Sequence, residues 1–479
     1  MSHALVAHVP MWLGVCVDPF LQFVNARKRV RKVNRPPGQR RTQELKVAYF
    51  VSLFPCWSET FIARELNCLL RMGVDVRIVS LKHPLEKIVQ SDAEPLLARV
   101  IYPKTGWFGL RIVLREILLH PWRSLQEIAE LATLLRHPEV FAKSVVAWKR
   151  GLTVLPTLRE AAPEHLHAHW ATYPSTVAMF AARRLGTPFS FTAHAHDIFL
   201  ERHLLKSKIE RATFGVTISE FNRRFLAASV SKRASEKVQV IHCGVAIDRL
   251  PIVEEGRAPG LIVAVGRFDE IKGFRYLVDA CALLAVQGVR FECLLIGDGK
   301  LRGDLKRRVA RVGLAGHVSF AGVLKQEDVL RQMRRARVFV LPSVVTPKGN
   351  RDGIPVALME AMASGTPVIS TRVSGIPELV EDNVDGLLVP PRDAVALAEA
   401  LTRVLGNDVL AARLGRSGRR KVLRDFDVRK ETAKLHRHIL QALSVAEDAR
   451  HAASWPLAPG GGSIARLDDF RDQTAGGNS

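Results

Sequence analysis

Two successive series of short β-rich runs, each run followed by a helix-length segment, constrain the fold of this 479-residue chain more than any other feature. The first series comprises KVAYFVSL, DVRIVSL, HLHAHW, FSFTAHAHD, FGVTIS and VQVIHCG, and the second comprises LIVAVGRF, FECLLIGDG, RVFVLPS, PVISTRV and GLLVPP. This alternation is typical of parallel α/β units. The repetition therefore predicts an α/β protein with two Rossmann-like domains that face each other across a cleft.

The domain boundaries follow from where the two series begin and end. The first domain is predicted over residues 46–250 and the second over residues 251–425, after a basic N-terminal extension at residues 1–45. The segment FDVRKETAKLHRHILQAL indicates an amphipathic helix over residues 426–445, and the glycine-rich end predicts a disordered tail over residues 446–479. Two domains also fit the length, which exceeds what one hydrophobic core usually organises.

The six scattered cysteines lack any C-x-x-C pair, which favours a reduced, cytoplasmic compartment and no structural zinc. No stretch reaches the roughly 20 apolar residues needed to span a bilayer. In the extension, an apolar run at residues 11–24 precedes the basic residues, which is the reverse of a secretion signal. The extension is interpreted as a basic, interfacial segment, and the alternatives are a disordered leader without a role and an extension from an upstream start site.

The net charge of +23 favours an anionic partner: nucleic acid, an acidic membrane surface or phosphorylated small molecules. No recognised nucleic-acid module or aromatic stacking platform is present, which argues against nucleic acid. Residues 105–150 predict helices with Trp107, Trp122 and Trp148 near their ends and many interspersed cations, a pattern that suits an anionic membrane surface. The alternative is that these helices pack on the sheet while their arginine heads reach water.

The stretch VAVGRFDEIKGF places Gly266 and Arg267 at a strand end and Lys272 at the start of the next helix. A glycine there lets the backbone approach a ligand, and cations near a helix N-terminus suit a diphosphate. The stretch LLIGDGKLR repeats the theme with Asp298 and Gly299 in a turn, although such turns are common without any ligand.

The stretch DGIPVALME holds two carboxylates eight positions apart, Asp352 and Glu360. Pro355 is predicted in the first turn of a helix, with Gly353 and Ile354 as its approach and the following amides facing the cleft. The two acids then suit the hydroxyl groups of a sugar and of a ribose. Alternatively, Asp352 only complements the helix dipole and Glu360 is an exposed helix residue.

The histidines permit a different interpretation. Both HLHAHW (His165, His167, His169) and HAHD (His194, His196, Asp197) contain H-x-H on a predicted strand, which places both imidazoles on one face and suits zinc. A metal-dependent hydrolase is therefore an alternative, but it leaves the cationic diphosphate site unexplained.

Taken together, GRF...KG, IGDG and DGIPVALMEAMASGTPVISTRVSGIPELVEDNVDGLLVPP resemble the retaining nucleotide-sugar glycosyltransferases of family 4, which have the GT-B fold. The segments FPCWSETFIARE and FTAHAHDIF are similar to those of bacterial exopolysaccharide enzymes of the colanic-acid type. The resemblance runs from about Lys46 to about residue 443 and implies that the C-terminal helix crosses back to the first domain.

The resemblance implies a role for each matching residue of the second domain. Asp352 would meet the transferred sugar and Glu360 the ribose, and the family usually has the longer Glu at the first of these positions. Arg267 and Lys272 would compensate the diphosphate charge in place of a metal ion, so that no cofactor is expected. The remaining donor-binding positions are Gly266, Asp298, Gly299, Gly353, Ile354, Pro355 and Val356.

On the first domain, His194 occupies the position of the family's active-site histidine, and Asp197 would hold its loop. Ser58, Glu59 and Thr60 would form the other lip of the cleft, near the donor phosphates or the acceptor, or would cap a helix. The family mechanism is front-side displacement with retention, in which the leaving phosphate helps to deprotonate the acceptor. The implied acceptor is a lipid-linked saccharide at the inner face of the cytoplasmic membrane, in exopolysaccharide or related glycan biosynthesis.

Overall fold

The first series of strands forms one parallel sheet. The computed structural model describes residues 45–454, apart from residues 57–58, 85–88 and 251–255. The strands of this sheet are β1 (Leu45–Leu53), β2 (Val74–Lys82), β3 (Val100–Ile101), β4 (His165–His169), β5 (Phe189–Ala193), β6 (Phe214–Thr217) and β7 (Val238–Val240). Their order is β3-β2-β1-β4-β5-β6-β7, and every adjacent pair is parallel.

The second series forms a separate parallel sheet with its own core. Its strands are β8 (Ala258–Val265), β9 (Glu292–Ile296), β10 (Val318–Gly322), β11 (Ala336–Leu341), β12 (Val368–Thr371) and β13 (Leu387–Val389). Their order is β10-β9-β8-β11-β12-β13, again with parallel neighbours. The prediction of two Rossmann-like α/β domains is confirmed.

Helices cover both sheets, as parallel crossovers require. In the first domain they are α1 (Thr60–Arg71), α2 (Gly106–Leu119), α3 (Pro121–Ala132), α4 (Pro138–Ala161), α5 (Tyr173–Leu185), α6 (His196–Phe199), α7 (Leu205–Arg211), α8 (Glu220–Ser229) and α9 (Ala234–Lys237). In the second domain they are α10 (Phe274–Val286), α11 (Arg302–Arg311), α12 (Gln326–Arg335), α13 (Val356–Ala363), α14 (Ile376–Leu379), α15 (Ala394–Leu405) and α16 (Asp408–Asp425). The chain then continues into α17 (Val428–Ser454).

The last helix, α17, packs against the first domain although it follows the second in the chain. Its residues Leu435, Ile439 and Ala442 are buried in one cluster with Ile62 and Leu66 of α1. The helix continues beyond residue 445, into the segment that the sequence predicts to be disordered. The domain boundaries stay a prediction, and the N-terminal extension and residues 455–479 lie outside the described residues.

Helices α2 and α3 bury several polar side chains and expose many apolar ones. Their buried positions include Glu116 on α2 and Ser124 and Glu127 on α3. The outward positions include Trp107 and Trp122, which are 72% and 78% exposed. Val113 of α2 and Leu131 of α3 are nevertheless buried in the core of the first domain. The two helices therefore pack on the protein, as the packing alternative expects, and also expose large apolar side chains to solvent.

One buried arginine contacts both α2 and α3, whereas the Glu116 carboxylate itself is bound by Arg159. Arg184 donates to Glu127 at 2.6 Å, to Ser124 Oγ at 2.9 Å and to the Glu116 carbonyl at 3.0 Å. Trp148 Nε1 donates to Glu127 at 2.7 Å. These bonds hold both helices against the first domain, although most of their leucines stay exposed. Among the described residues, no helix combines the length and apolarity needed to cross a bilayer.

Strand order locates the ligand cleft. It reverses between β1 and β4 in the first sheet and between β8 and β11 in the second. In open α/β sheets, ligands bind beyond the carboxyl ends of the strands at such switch points. The candidate residues from the sequence should therefore lie where the carboxyl ends of these strands face each other.

Candidate functional site

The carboxyl ends of β8 and β11 bring a lysine and an acid together. Lys272 follows β8 and donates from Nζ to Asp352 Oδ1 at 2.7 Å. Ser343, just after β11, donates from Oγ to Asp352 Oδ2 at 2.7 Å. Asp352 is 8% exposed. This ion pair therefore joins two of the residues that the sequence singles out. Asp352 is buried and bonded to two side chains, so it does not only complement the helix dipole.

Glycines shape this part of the second domain. Gly273 follows Lys272 in a left-handed conformation, with φ of +65°, and a Cβ there would lie 1.9 Å from the Pro342 carbonyl oxygen. Gly353 faces the first domain, and a Cβ there would lie 2.6 Å from Ile218 Cδ1. These close approaches require residues without a side chain.

The other predicted phosphate residues lie near the same strand ends. Gly266 and Arg267 follow β8, and the Arg267 side chain is exposed. Asp298 follows β9, where it accepts from the Gly299 amide at 2.7 Å and from Arg302 at 3.1 Å. Asp298 thus stabilises a local turn, and such turns are common without any ligand.

Helix α13 begins one residue later than predicted. Pro355 is its N-cap, with φ of −67° and ψ of 125°, and Val356 is the first helical residue. The ψ value takes Pro355 out of the helical region, so it ends the approach formed by Gly353 and Ile354. Glu360 is 5% exposed, which rules out the interpretation of an exposed helix residue.

Glu360 is held by a residue of the other domain. Arg64 of α1 donates to Glu360 Oε1 at 2.8 Å and to Asp92 Oδ2 at 3.1 Å. Gln326 of α12 also donates to Glu360 Oε1, at 2.8 Å. Burial alone would lower the pKa of Arg64, but the charges of Glu360 and Asp92 raise it above its ordinary value. The guanidinium therefore stays charged, and it links the two domains.

A cavity lies beside this ion pair, between the two domains. Its volume is about 190 Å³, and it is open to solvent. Its walls include Arg64, Asp92 and Ala246 on one side and Gln326, Leu330 and Glu360 on the other. The sequence does not single out Arg64, Asp92 or Gln326, because their importance depends on a contact between segments far apart in the chain.

His194 lies at the end of β5, where its main chain is tightly held. Asp197 accepts from the His194 amide at 2.9 Å and from the Ala171 amide at 2.6 Å. The His194 carbonyl accepts from the Asn222 side chain, and its oxygen lies 3.5 Å from a Cβ built on Gly353. Asp197 thus holds the loop, as expected, and the segment faces the donor loop of the second domain.

The zinc interpretation of the histidines does not fit their environment. His165, His167 and His169 share one face of β4, and Glu65, His167 and His169 are close enough to surround an ion. Both ring nitrogens of His167, however, already contact the Ser190 and Thr192 hydroxyls, at 2.7 and 3.0 Å. The second H-x-H is not on a strand, because β5 ends at Ala193 and the half-exposed His196 begins α6.

Of the three residues predicted to form the other lip of the cleft, the structure describes Glu59 and Thr60. Glu59 is the N-cap of α1, without a side-chain capping bond, and Thr60 is its buried first residue. Ser58 lies outside the described residues. The capping interpretation is therefore not supported for the Glu59 side chain.

Two facing Rossmann-like domains with their strand-order switch points at the cleft define the GT-B fold. Solved structures that share this fold include the following two. Sucrose-phosphate synthase from Thermosynechococcus elongatus has a TM-score of 0.63 and 22% identity, covering 84% of this chain and 100% of that one. HepE from Anabaena, solved with UDP and glucose, has a TM-score of 0.62 and 16% identity, covering 83% and 100%.

Sequence comparison gives the family. A family model described as glycosyl transferases group 1 matches residues 259–407. The amylovoran biosynthesis glycosyltransferase AmsK of Erwinia amylovora is 39% identical over 409 residues, covering 80% of this chain and 96% of that protein. WcaL of Escherichia coli K12, named for colanic acid biosynthesis, is 29% identical over 439 residues, covering 83% and 100%. The chain belongs to the glycosyl transferases group 1 family, and these relatives give the hydrolase alternative no support.

Proposed function

We propose that this glycosyltransferase transfers a sugar, with retention of configuration, from a nucleotide-diphosphate sugar to a lipid-linked saccharide. The observation that carries the proposal is the pair of buried acids at the cleft, each already bonded to a cation: Asp352 to Lys272 and Glu360 to Arg64. Such an arrangement offers both carboxylates for hydroxyl groups and a cation for phosphate. A donor with a sugar at one end, a ribose at the other and a diphosphate between them matches this order.

Within the proposed donor complex, Glu360 accepts from the ribose hydroxyls beside the cavity. Asp352 accepts from the transferred sugar, and Lys272 moves from Asp352 to the diphosphate. Arg267 and the backbone amides of residues 353–356 complete the phosphate contacts. Fixed cations stabilise the charge that develops on the leaving diphosphate, so the proposed reaction needs no metal. Full activity after treatment with EDTA would support this part of the proposal, and loss of activity would contradict it.

The proposed chemistry is a front-side displacement in which the leaving phosphate oxygen accepts the proton of the acceptor hydroxyl. His194 lies on the facing domain, with its carbonyl beside Gly353, and acts as a positioning group near the anomeric carbon. Burial, with a further contribution from nearby His169, lowers the pKa of His194 well below its ordinary value. A neutral imidazole suits positioning better than a role as a charged acid.

The relatives guide the choice of donor and pathway. HepE was solved with UDP and glucose, which makes UDP-sugars the first donors to test. AmsK and WcaL are named for amylovoran and colanic acid biosynthesis. We therefore place the proposed reaction in exopolysaccharide assembly at the inner face of the cytoplasmic membrane.

The outward faces of α2 and α3 support peripheral contact with that membrane. They expose large apolar side chains: Trp107, Phe108, Leu110, Leu114, Leu118, Leu119, Trp122, Leu125 and Ile128. Arg111, Arg115 and Arg123 are exposed on the same helices, whereas Glu116, Glu127 and Glu130 are paired with arginines of neighbouring elements. Apolar and aromatic side chains interspersed with cations match an anionic lipid surface.

A screen of nucleotide sugars tests the proposed donor. Wild-type protein should be stabilised against thermal unfolding by one nucleotide sugar and should hydrolyse it slowly. Glu360→Ala and Lys272→Ala should lose the stabilisation, whereas Glu399→Ala and Lys306→Ala, at exposed positions of the same domain, should keep it. Absence of stabilisation by every nucleotide sugar, or full donor binding by the two site variants, would overturn the proposal.

A further inference from the structure

A continuous chain of hydrogen bonds runs through the first domain behind His194. Glu65 Oε1 accepts from Tyr49 Oη at 3.0 Å and contacts His169 Nε2 at 2.9 Å. His169 Nδ1 lies 3.2 Å from His194 Nε2, and His194 Nδ1 lies 3.8 Å from Cys243 Sγ. Neither the donor contacts nor the retaining chemistry described above uses Tyr49, Glu65 or His169.

The contacts of Glu65 Oε1 with Tyr49 and His169 set the direction of every bond in this chain. A carboxylate only accepts, so His169 Nε2 carries the hydrogen. A single ring hydrogen at Nε2 leaves His169 a lone pair on Nδ1, which accepts from His194 Nε2–H. His194 is left with a lone pair on Nδ1, facing the Cys243 thiol. Burial, with smaller contributions from Glu65 and Glu431, raises the pKa of this thiol, which therefore keeps its proton and donates.

Packing restricts the His194 ring as well. Trp170 and Phe61 lie with their ring centroids 4.4 and 5.0 Å from that of His194, and the His169 ring lies 5.4 Å away. His169 and His194 are 1% and 4% exposed. Without the bond to His169, these apolar contacts would hold the ring plane but would not select which nitrogen carries the proton.

We propose that Glu65 and His169 are positioning residues for His194, fixing its Nε2–H tautomer, its ring orientation and thereby the segment that faces Gly353. The inference rests on the proposed function for its catalytic consequence, although not for the hydrogen-bond pattern itself. It also accounts for His169, the last histidine of β4, which neither the donor site nor a metal site explains. Glu65 thus acts on the reaction through two imidazoles and does not contact the substrates.

The tautomer itself is the first test. Protein labelled with ¹⁵N-histidine is studied by long-range proton–nitrogen correlation spectra, and the His194 signals are assigned by their absence from His194→Gln. In the wild-type protein we expect neutral His169 and His194 rings, each protonated on Nε2. A His194 ring protonated on Nδ1, or a doubly protonated His169, would overturn the inference even if no variant of Glu65 folds.

The kinetic test uses Glu65→Gln, which keeps the size of the side chain and removes its charge. We expect loss of the single His194 tautomer and a fall in kcat of about 10-fold to 100-fold, because small misplacements of a positioning group slow chemistry by such factors. Donor Kd should change less than about twofold, since the donor contacts lie on the other domain. The control is His165→Gln, a buried position on the same face of β4 that bonds to Ser190 and not to Glu65.

The outcomes separate the two proposals. An unchanged His194 tautomer or an unchanged kcat in Glu65→Gln would overturn the positioning role. An equal fall of kcat in His165→Gln would also overturn it, because any perturbation of β4 would then suffice. If the wild-type protein binds no nucleotide sugar, the proposed function fails, while the NMR spectra still decide the hydrogen-bond pattern.

Discussion

Lys272 Nζ lies 2.7 Å from Asp352 Oδ1, so the proposed diphosphate cation and the proposed sugar-binding acid are bonded to each other. A donor that binds here therefore has to replace this bond: its diphosphate takes the place of Asp352 beside Lys272, and its sugar takes the place of Lys272 beside Asp352. We expect Lys272→Met to weaken binding of a nucleoside diphosphate by roughly 10-fold to 100-fold, since charge-assisted bonds to phosphate are lost. Isothermal titration calorimetry checks this, with Lys306→Met as the exposed control.

The double variant Lys272→Met/Asp352→Asn separates loss of the phosphate contact from the cost of an unpaired acid. It should bind the nucleoside diphosphate as weakly as the single variant. Binding of the nucleoside alone should be unaffected in both. Equal losses for the nucleoside and its diphosphate would contradict a direct phosphate contact.

Asp352→Glu tests whether the shorter acid selects the sugar. Glu has one more methylene and is the residue that the family usually has at this position. We expect altered discrimination among donor sugars, measured by competing pairs of nucleotide sugars, while the Kd for the nucleoside diphosphate stays the same. Unchanged donor choice and turnover would mean that the length of this acid does not tune the sugar site.

The Arg64–Glu360 pair predicts a stability effect that spans the two domains. Arg64→Met leaves Glu360 and Asp92 as buried carboxylates without their cation, and breaking such a pair should lower the free energy of unfolding by about 3 kcal/mol. Adding Glu360→Gln should recover part of this loss, which urea denaturation measures as a coupling energy. Arg71→Met, at the exposed end of the same helix, should have little effect. Equal losses in Arg64→Met and Arg71→Met would argue against the interdomain role.

The strands that form continuous apolar runs are predicted from the sequence, whereas β3 and β10 are not. β3 has two residues, too few for a recognisable pattern, and β10 lies at a sheet edge where buried and exposed positions alternate. An edge strand needs no continuous apolar run, because only one of its faces is covered. The α/β class and the order of elements follow from local patterns, whereas these two strands depend on their neighbours.

The residues of the candidate site also fall into those that local motifs indicate and those that depend on distant contacts. Lys272, Asp352 and Glu360 lie in short motifs of one domain, so the sequence alone indicates them. The Arg64–Glu360 contact joins residues 296 positions apart, and no local pattern signals it. The exposed apolar faces of α2 and α3 are equally hidden, because Glu127 is held inward by the distant Arg184 and Glu116 by Arg159.

Gly273 is predicted to tolerate no side chain. Gly273→Ala would place a methyl group 1.9 Å from the Pro342 carbonyl oxygen, at a φ of +65°. We expect a loss of more than about 2 kcal/mol in the free energy of unfolding, because steric overlap adds to backbone strain. Gly288→Ala is the matched control, with φ of +70° and no atom within 4 Å of the added carbon. It should cost only about 1 kcal/mol, so similar losses in the two variants would contradict the close approach.

Buried histidines predict that the protein loses stability in mild acid. Burial lowers the pKa of His165 to about 3, and the pKa values of His167 and His194 also fall well below the ordinary value, mainly through burial. Below about pH 6.5 the unfolded chain binds protons that the folded protein does not, so the free energy of unfolding falls as pH decreases. His165→Gln should reduce the slope of free energy against pH by about 1.4 kcal/mol per unit between pH 6 and 4. His196→Gln, at a half-exposed position, is the control, and an identical slope in wild-type protein and His165→Gln would contradict the assignment.

The outward aromatic residues of α2 and α3 predict binding to anionic lipid. Wild-type protein should sediment with phosphatidylglycerol-containing vesicles, in a salt-sensitive manner, and should bind phosphatidylcholine vesicles and oligonucleotides weakly. Trp107→Ser/Trp122→Ser should weaken binding to the anionic vesicles by at least about tenfold, because two large apolar surfaces no longer leave water. Val286→Ser/Val409→Ser is the matched control, since these side chains are 87% and 79% exposed on the second domain. Unchanged vesicle binding by the tryptophan variant, or equal losses in both double variants, would mean that the exposed apolar faces of α2 and α3 do not contact the membrane.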